Sequence, residues 1–473
     1  MTSEQVSMLI KTDDIDKIKQ AFIASKVVES VSAVLKNYEI ANHEVMDPTI
    51  RRDKMIKGDD GNIEATVKVS RIPLPYQKNI VLVASAFLGT PQINATPGDQ
   101  KEKDLLSVIK KVLDDNKVDY KFMTVVKTTK SEKQAAILLY TEKLQAGSDY
   151  WDNEPISSNL RLRMKLLSCK RGDELYPVFD DSDDMVAFGR AYETSDTSSG
   201  SEVKTQHFDF YTADNIYINS KVAGRQWEKK SFKNLINKIP VIYFCQAMTD
   251  YEDVQHLIDR LEKKTSNHAD TNDYFDSPIV KAKGKITGFA NKGDSGKVLE
   301  MDEGADAGYL TYDSLPESMK MEIDNLKEYI EQFSHTPVTA ASKMAALSYF
   351  SSTAIKLLFL DAHLKAYDSE EIFGEGAQRL FNYIKAAIAV MDSSFKKATK
   401  LKLTPKFTYF LPKNETEEVA NIVSAYTAGI ISLETALSLN PLVEDAIAEL
   451  EKIKAEAKAK ADAAPPPPPT PAQ

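Results

Sequence analysis

Cysteine is almost missing from this chain: only Cys169 and Cys245 occur in 473 residues. They are far apart and form no CxxC, so neither a disulfide framework nor a thiolate zinc site is expected. Long apolar runs are missing too. None approaches the roughly 18 consecutive apolar residues of a membrane span, so no membrane partner is expected. The opening MTSEQVSMLIKTDDIDK is too polar and acidic for a signal peptide, and a cytosolic site of synthesis follows. An excess of basic charge is also lacking, since the formal net charge is -10. A protein that clings to DNA by neutralising phosphates needs a basic face, so tight nucleic-acid binding is not expected. The six histidines include His256, His268, His335 and His363, with no HExxH among them. His256 and His268 sit about three turns apart on a helix, too far to share a metal. Surface or interface histidines are the expectation, with no cofactor and no metal.

A hydrophobic content of 42% and a charged content of 27% fit a soluble folded protein with two or three structural regions. The most informative segment runs from about Thr249 to Asp276. Its first half carries Val254, Leu257, Ile258 and Leu261, spaced i, i+3, i+4, i+7, a narrow helical stripe. From Glu262 to Asp273 it reads EKKTSNHADTND, polar on every side. A helix of that kind bridges between bodies, packs on copies of itself, or does not form. At 1.5 Å per residue it reaches roughly 40 Å, long for a connector inside one compact domain. The expectation is that its polar half finds packing partners only in sibling copies.

Before this helix, residues up to about Lys36 read as helical, with Ile15, Ile18, Phe22 and Ile23 on one side. NYEIANHEV reads as extended, and RRDKMIKGDDGN as a charged loop. Ile80 to Leu88 is an apolar helix stopped by Gly89 and Pro91, and Glu102 to Leu113 is a further amphipathic helix. From about Asp119 to Asn219 the period shifts towards two. YKFMTVVK, QAAILLYTE, LRLRMKLLS, MVAFGRAYE, HFDFYTA and NIYIN all read as strands, with Thr194 to Ser201 as a hairpin loop.

After the strand VIYFC and the polar helix, residues 277–312 form a Lys/Gly-rich insert of short strands. Lys281, Lys283 and Lys285 alternate there, which puts three ammonium groups on one strand face, and Glu300, Asp302, Glu303 and Asp306 make its second half acidic. A second helix is capped by Ser314 with Glu317. It turns Met319, Ile323, Leu326 and Ile330 inward and stops before Pro337. A small, polar stretch follows, then a helix from Thr353 to about Lys400 with Gly374 and Gly376 as bend points. After KFTYFL, a helix capped by Asn414 ends at Gly429, Ser432 caps a short one, and a last helix runs from about Leu442. PPPPPTPAQ closes the chain as an exposed polyproline segment.

Motifs that suggest chemistry fail on inspection. GFANKGDSGKV misses the phosphate-loop template, because Asn291 stands at the first glycine and Val298 at the Mg²⁺-binding hydroxyl. A clip-like turn fits better. DDSDD at Asp180–Asp184 misses the calcium loop, since Met185 stands where glycine is required, and a solvated turn between strands fits better. No Ser/His/Asp spacing argues for catalysis, so no enzyme is expected.

Three blocks resemble the portal proteins of tailed double-stranded DNA bacteriophages. SRIPLPYQKNIVLVASAFLGTPQ is similar to an N-R-I-P-x-P-Y start leading into a helix that ends before Gly and Pro, with Ser70 in place of Asn. PVIYFCQAMTDYEDVQHLIDRLEKKTSNHADTNDYFDSPIVKAKG is similar to the portal strand, acidic link and LIDxL helix. AYTAGIISLETALSLNPLVEDAIAELEKIKAE is similar to the G-x-I-S-x-E-T end, and FSSTAIKLLF to S-G-x-A-L-K with Ser352 where glycine is usual. The resemblance spans nearly the whole chain in one order.

It implies an α+β portal fold: a β-rich wing (1–248), a first stem helix (249–276), a clip (277–312) and a second stem helix (313–334). A tunnel loop (335–352), a long kinked helix with a wing strand (353–411), crown helices (412–464) and a Pro-rich tail (465–473) complete it. It implies a homo-oligomeric ring, a dodecamer in the virion, at one capsid vertex, assembled in the host cytoplasm. Double-stranded DNA passes through without sequence specificity. The large terminase, scaffolding and major capsid proteins and a head-completion adaptor are the implied partners. In the tunnel loop, His335, Thr339, Ser342, Lys343, Met344 and Tyr349 either face DNA or are buried between subunits. Lys281, Lys283, Lys285, Lys292 and Lys297 are either a docking surface or a solvated, charge-mixed hairpin. Two rivals stand beside this reading. A nuclease or packaging ATPase would need a carboxylate cluster or phosphate loop, and an oligomeric capsid-associated protein would line no DNA channel.

Overall fold

The computed structural model describes the chain except residues 26, 29–30, 58–61, 197–202, 276–278, 284–285, 289–299, 302–305, 311–315, 338–356, 358, 410–414, 444 and 463–473. It contains two compact units, Met1–Thr336 with Ala362–Tyr409, and Pro337–Asp361 with Phe410–Gln473.

The larger unit opens with α1 (Ser3–Lys11), α2 (Ile15–Ala24) and α3 (Val31–Tyr38). Thr2 and Gln5 form a capping box, and Asp14 accepts from the Lys17 amide. These caps divide what reads as one helix into separate pieces. Ile15, Ile18 and Phe22 are buried, whereas Ile23 is 43% exposed. It lies one residue past Phe22, about 100° round the helix, so it leaves the buried side. NYEIANHEV is not extended. It forms two 3-10 turns, Ile40–Asn42 and Glu44–Met46, which bury His43 and Val45.

A hairpin of β1 (Lys54–Lys57) and β2 (Ile63–Val67) precedes α4 (Tyr76–Leu88). Gly89 ends α4 at φ 70°, and a Cβ there would stand 2.9 Å from the Thr408 carbonyl oxygen. β3 (Pro91–Asn94) and α5 (Gln100–Asp115) follow. YKFMTVVK, read above as a strand, belongs to α6 (Val118–Glu132). Val118, Phe122, Val125, Val126 and Thr129 are all buried, spaced for one helix face. Tertiary burial overrides the β preference of the branched residues.

The strands β4 (Gln134–Lys143), β5 (Leu160–Leu167), β6 (Glu174–Phe179), β7 (Met185–Asp196), β8 (Val203–Thr212), β9 (Asn215–Val222), β10 (Glu228–Lys233) and β11 (Val241–Cys245) make two antiparallel sheets. One has the order β10-β9-β8-β7-β6 and the other β11-β4-β5. Leu138, Leu167, Phe188 and Tyr211 pack between them. On the outer face of the larger sheet, Phe22 meets Phe208 edge-on at 5.9 Å. Gly189 leaves room for that ring, since a Cβ there would lie 2.6 Å from Phe22. Asp180–Asp184 is the β6–β7 turn, in which the Asp180 carboxylate accepts from the amides of Ser182 and Asp184.

α7 (Gln255–Phe275) leads to β12 (Ile279–Lys283), β13 (Ile286–Gly288), β14 (Glu300–Met301) and β15 (Asp306–Leu310), paired as β12-β15 and β13-β14. α8 (Pro316–Phe333) follows, then α9 (Leu360–Met391) and β16 (Thr404–Phe407), which pairs with β3. α9 ends short of the expected Lys400, because Asp392 caps a 3-10 turn at Ser393–Phe395. It stays helical through Gly374 and Gly376. A Cβ at Gly376 would stand 2.1 Å from the Phe244 ring, so this glycine makes room for packing. Phe244 stacks on Phe373 at 5.9 Å, inside the core between α5, α6, α9 and the smaller sheet.

The smaller unit holds α10 (Glu415–Thr427), α11 (Leu433–Leu439) and α12 (Ala446–Asp462). Gly429, at φ 74°, ends α10, with the Ile430 amide on the Ala425 carbonyl and the Gly429 amide on Tyr426. Ser432 caps α11 through the Thr435 amide. α12 starts four residues later than expected, at Ala446, because Asp445 accepts from the Ile447 and Ala448 amides. The expected caps at Ser314 and Asn414, and the tail PPPPPTPAQ, lie outside the described residues.

Candidate functional site: a polar helix held by a strap

The first half of α7 packs as its stripe predicts. Ile258 and Leu261, with Val254 in the 3-10 turn just before the helix, are buried with Ile80 and Val81 of α4 and Leu326 and Ile330 of α8. The polar half behaves differently from expectation. Glu262 and Ser266 are fully buried within this one chain, so the rod does not depend on sibling copies for all its polar contacts.

Their partner is the segment Ser70–Pro75, which lies along α7 as a strap. The Leu74 amide donates to Glu262 Oε1 at 2.7 Å, the Ile72 amide to Ser266 Oγ at 3.0 Å, and the Ser70 amide to Asp270 Oδ1 at 2.6 Å. The Ser70 hydroxyl donates to Asp273 at 3.0 Å. Two periods meet here. Acceptors four residues apart rise about 6 Å along a helix, and amides two residues apart rise about 6.6 Å along extended chain. Positions 73 and 75, between and beyond these donors, are proline and have no N–H to satisfy. Proline also pushes Ile72 and Leu74 towards extended backbone.

Side chains lock the strap at both ends. Arg51 donates to the Ser70 carbonyl, to Asn267 and to Asp270, the last at 2.6 Å. Arg71 returns to the Arg51 carbonyl and to Asp53. At the other end, His43 Nδ1 lies 2.7 Å from Glu262 Oε1, with both side chains about 1% exposed. On another face of α7, Arg260 and Lys264 both pair with Glu322 of α8, at 2.9 and 2.7 Å. Hydrogen bonding from Lys264, then from Arg260, holds that carboxyl below its ordinary range.

A second ionic centre sits just before α7. Asp250 Oδ2 takes Lys130 of α6 at 3.1 Å and Lys365 of α9 at 3.2 Å. Lys130 also donates to Ser369, and Lys365 to the Ser334 carbonyl beyond the end of α8. Burial pulls the Asp250 carboxyl up, but the two ammonium groups outweigh it and hold it below the usual aspartate range. Burial pushes the Lys365 ammonium down, against the pull of Asp250. One carboxylate thus ties the start of α7, α6, α9 and the segment after α8.

A cavity of about 1120 Å³ opens between the two sheets and α9, lined in part by Lys165, Arg190, Asp209, Phe232 and Tyr383. Arg190 pairs with Asp173 at 2.6 Å. Burial pushes the Asp209 carboxyl up to about 6, against the pull of Arg190.

Of the residues singled out in the sequence, His335 is exposed at the end of α8, with φ 54°. Its amide donates to Gln332 O, and the next amide, of Thr336, donates to Glu331 O, so His335 fills the left-handed position of a helix-ending motif. Thr339, Ser342, Lys343, Met344 and Tyr349 lie outside the described residues. Lys281 and Lys283 occupy alternate positions of β12, opposite Gly308 and Asp306. Lys285, Lys292 and Lys297, like Asp302 and Glu303, lie outside the described residues. Sequence reading missed the His43–Glu262 contact, the strap and the Asp250 centre. One signal was there to find: acceptors at 262, 266 and 270 and prolines at 73 and 75 keep complementary spacings.

Three comparisons bear on identity. No curated protein matches the chain. Among solved structures, a chain from the "neck of empty GTA particle computed with C6 symmetry" is similar at 10% identity and TM-score 0.38, covering 76% of this chain and 88% of that one. The family model for phage portal protein, SPP1 Gp6-like, matches residues 23–463 and so takes in the strap, the polar helix and the helices of the smaller unit. This α+β chain therefore belongs to the SPP1 Gp6-like family of phage portal proteins, structural components of the phage capsid.

Proposed function

We propose that this portal protein assembles into a ring, twelve-fold in the virion, at one vertex of the capsid, and that duplex DNA enters and leaves through the ring. The observation that carries the reading is the family match over residues 23–463. In this reading α7 and α8 are the stem helices, the β12–β15 segment is the clip, and α10–α12 belong to the crown. The strap and the Glu322 pairs stiffen the stem inside each subunit, which leaves its other faces for neighbours and for the channel.

On α8, Glu317, Asp324 and Glu328 are exposed at i, i+7 and i+11. Lys320 is exposed between them and Lys327 lies 3.8 Å from Asp324, so this face sets carboxylates that repel phosphate among lysines. The clip, with Lys281 and Lys283, is the docking platform for the large terminase during packaging and for a head-completion adaptor afterwards. The tunnel loop begins at His335. Scaffolding and major capsid proteins meet the outer body. The role is passive, with ATP hydrolysis supplied by a separate motor.

Electron microscopy of the purified protein tests this directly. A ring with a central hole is expected. A monomer at high concentration, a shell or a fibre would sink the reading, as would ATP hydrolysis by the protein alone.

A further inference from the structure

Residues 393–409 contain five lysines, Lys396, Lys397, Lys400, Lys402 and Lys406, and no acidic residue, in a chain whose net charge is -10. All five are exposed. Phe395, Leu401, Leu403 and Phe407, interleaved with them, are buried and fix the backbone against the core. From Lys400 onward the exposed and buried positions alternate into β16, so Lys400 and Lys402 stand about 6.6 Å apart along one edge. None of the five takes part in an ion pair among the described residues. A sixth lysine, Lys101 of α5, joins them, with its ammonium 5.4 Å from the Phe395 ring centre. Carboxylates on the packed elements have other partners: Asp392 is engaged by the amides of Ser157 and Ser394, Glu102 by the Gly98 amide, and Asp104, three residues past Lys101, by the Gln100 side chain.

Like charges held together on a rigid frame repel one another until an anion covers them. The chemistry of the patch says which anion fits. No apolar side chain in residues 393–409 is exposed, so the patch lacks the anchors a protein partner would bury. Its aromatic rings, Phe395, Phe407 and Tyr409, are buried or half-buried, so none is free to stack on an unpaired base. The basic groups are all lysine, point charges that meet phosphate without reading bases. We propose that this lysine face binds the phosphate backbone of duplex DNA without sequence preference. The contact is additional to passage along the channel, and it does not depend on ring formation.

The test is fluorescence anisotropy of the full-length protein with a short, labelled, mixed-sequence duplex, titrated between about 50 and 200 mM salt. Five phosphate contacts predict a log–log salt slope of about -4.5, equivalent to roughly 500-fold weaker binding across that range. Changing all five lysines to glutamine is expected to remove most of this slope. A control with the same charge change elsewhere, at the exposed Lys54, Lys57, Lys68, Lys230 and Lys233, is expected to keep it. Should the fivefold variant melt early, Lys402→Gln alone carries the test, with a slope smaller by about 1. No binding by the wild type, equal loss in patch and control variants, or a slope unchanged by the patch variant overturns the proposal. The portal reading is judged separately, by imaging the ring.

Discussion

The two halves of α7 are held in place by opposite chemistry. Up to Leu261 the helix is anchored by an apolar stripe against α4 and α8. From Glu262 onward it is anchored by acceptors that collect amides from the strap. An apolar contact tolerates small shifts and fails gradually. A buried carboxylate that serves an amide and an imidazole does not, because its removal strands both partners away from water. A helix segment with almost no hydrophobic residues can therefore be specified as firmly as an amphipathic one, provided its polar spacing matches that of a neighbouring chain.

Substitutions measure how different the halves are. Glu262→Ala should have the largest effect, about 4 kcal/mol in thermal or denaturant unfolding, since it leaves the buried His43 and the half-buried Leu74 amide unpaired. Glu262→Gln, which keeps an acceptor, should recover roughly half of that. If both variants unfold like the wild type, the strap is not an anchor. Asp250→Asn, at the head of the same helix, should cost about 3 kcal/mol at neutral pH by leaving two ammonium groups without their carboxylate. The sign with pH follows from the lowered carboxyl. Its stabilisation is present above the unfolded aspartate value near 3.9 and is lost as pH falls through the lower folded value. The wild type should thus lose stability below about pH 4, while the Asn variant shows a flatter acid limb. A steeper limb in the variant would contradict this assignment.

Ile258→Val in the apolar half should cost only about 1 kcal/mol, and its effect should be the same at low and high salt. A strong salt dependence there would erase the contrast between the halves. His335→Gly is the smallest change, a gain of about 0.5 kcal/mol read as a slightly higher melting temperature, because glycine adopts the left-handed conformation without steric penalty.

Much of the fold was legible where local chemistry decides it. Gly89 and Gly429 stop helices because the chain turns left-handed there, Ser432 caps where a serine should, and Val254, Ile258 and Leu261 are buried as their spacing requires. α6 was misread because Val125, Val126, Thr128 and Thr129 favour strands locally, while burial on one face decides in favour of helix. The polar half of α7 was misjudged for another reason. A hydrophobic pattern counts every polar residue as a solvent-facing one, and the partners of Glu262 and Asp270 lie about 190 to 220 residues away in sequence. The end of α8 places His335 and β12 places Lys281 and Lys283, but residue type alone says nothing of what each meets.

The prolines of the strap carry a consequence for the newly made subunit. An extended segment normally offers a free row of amides on its far side, an invitation for a stray strand to zip onto it. Here the near row is taken by α7, and of the outward positions 71, 73 and 75 two are proline. The chain thereby presents one fewer sticky margin to other copies at high local concentration, which disfavours clumping.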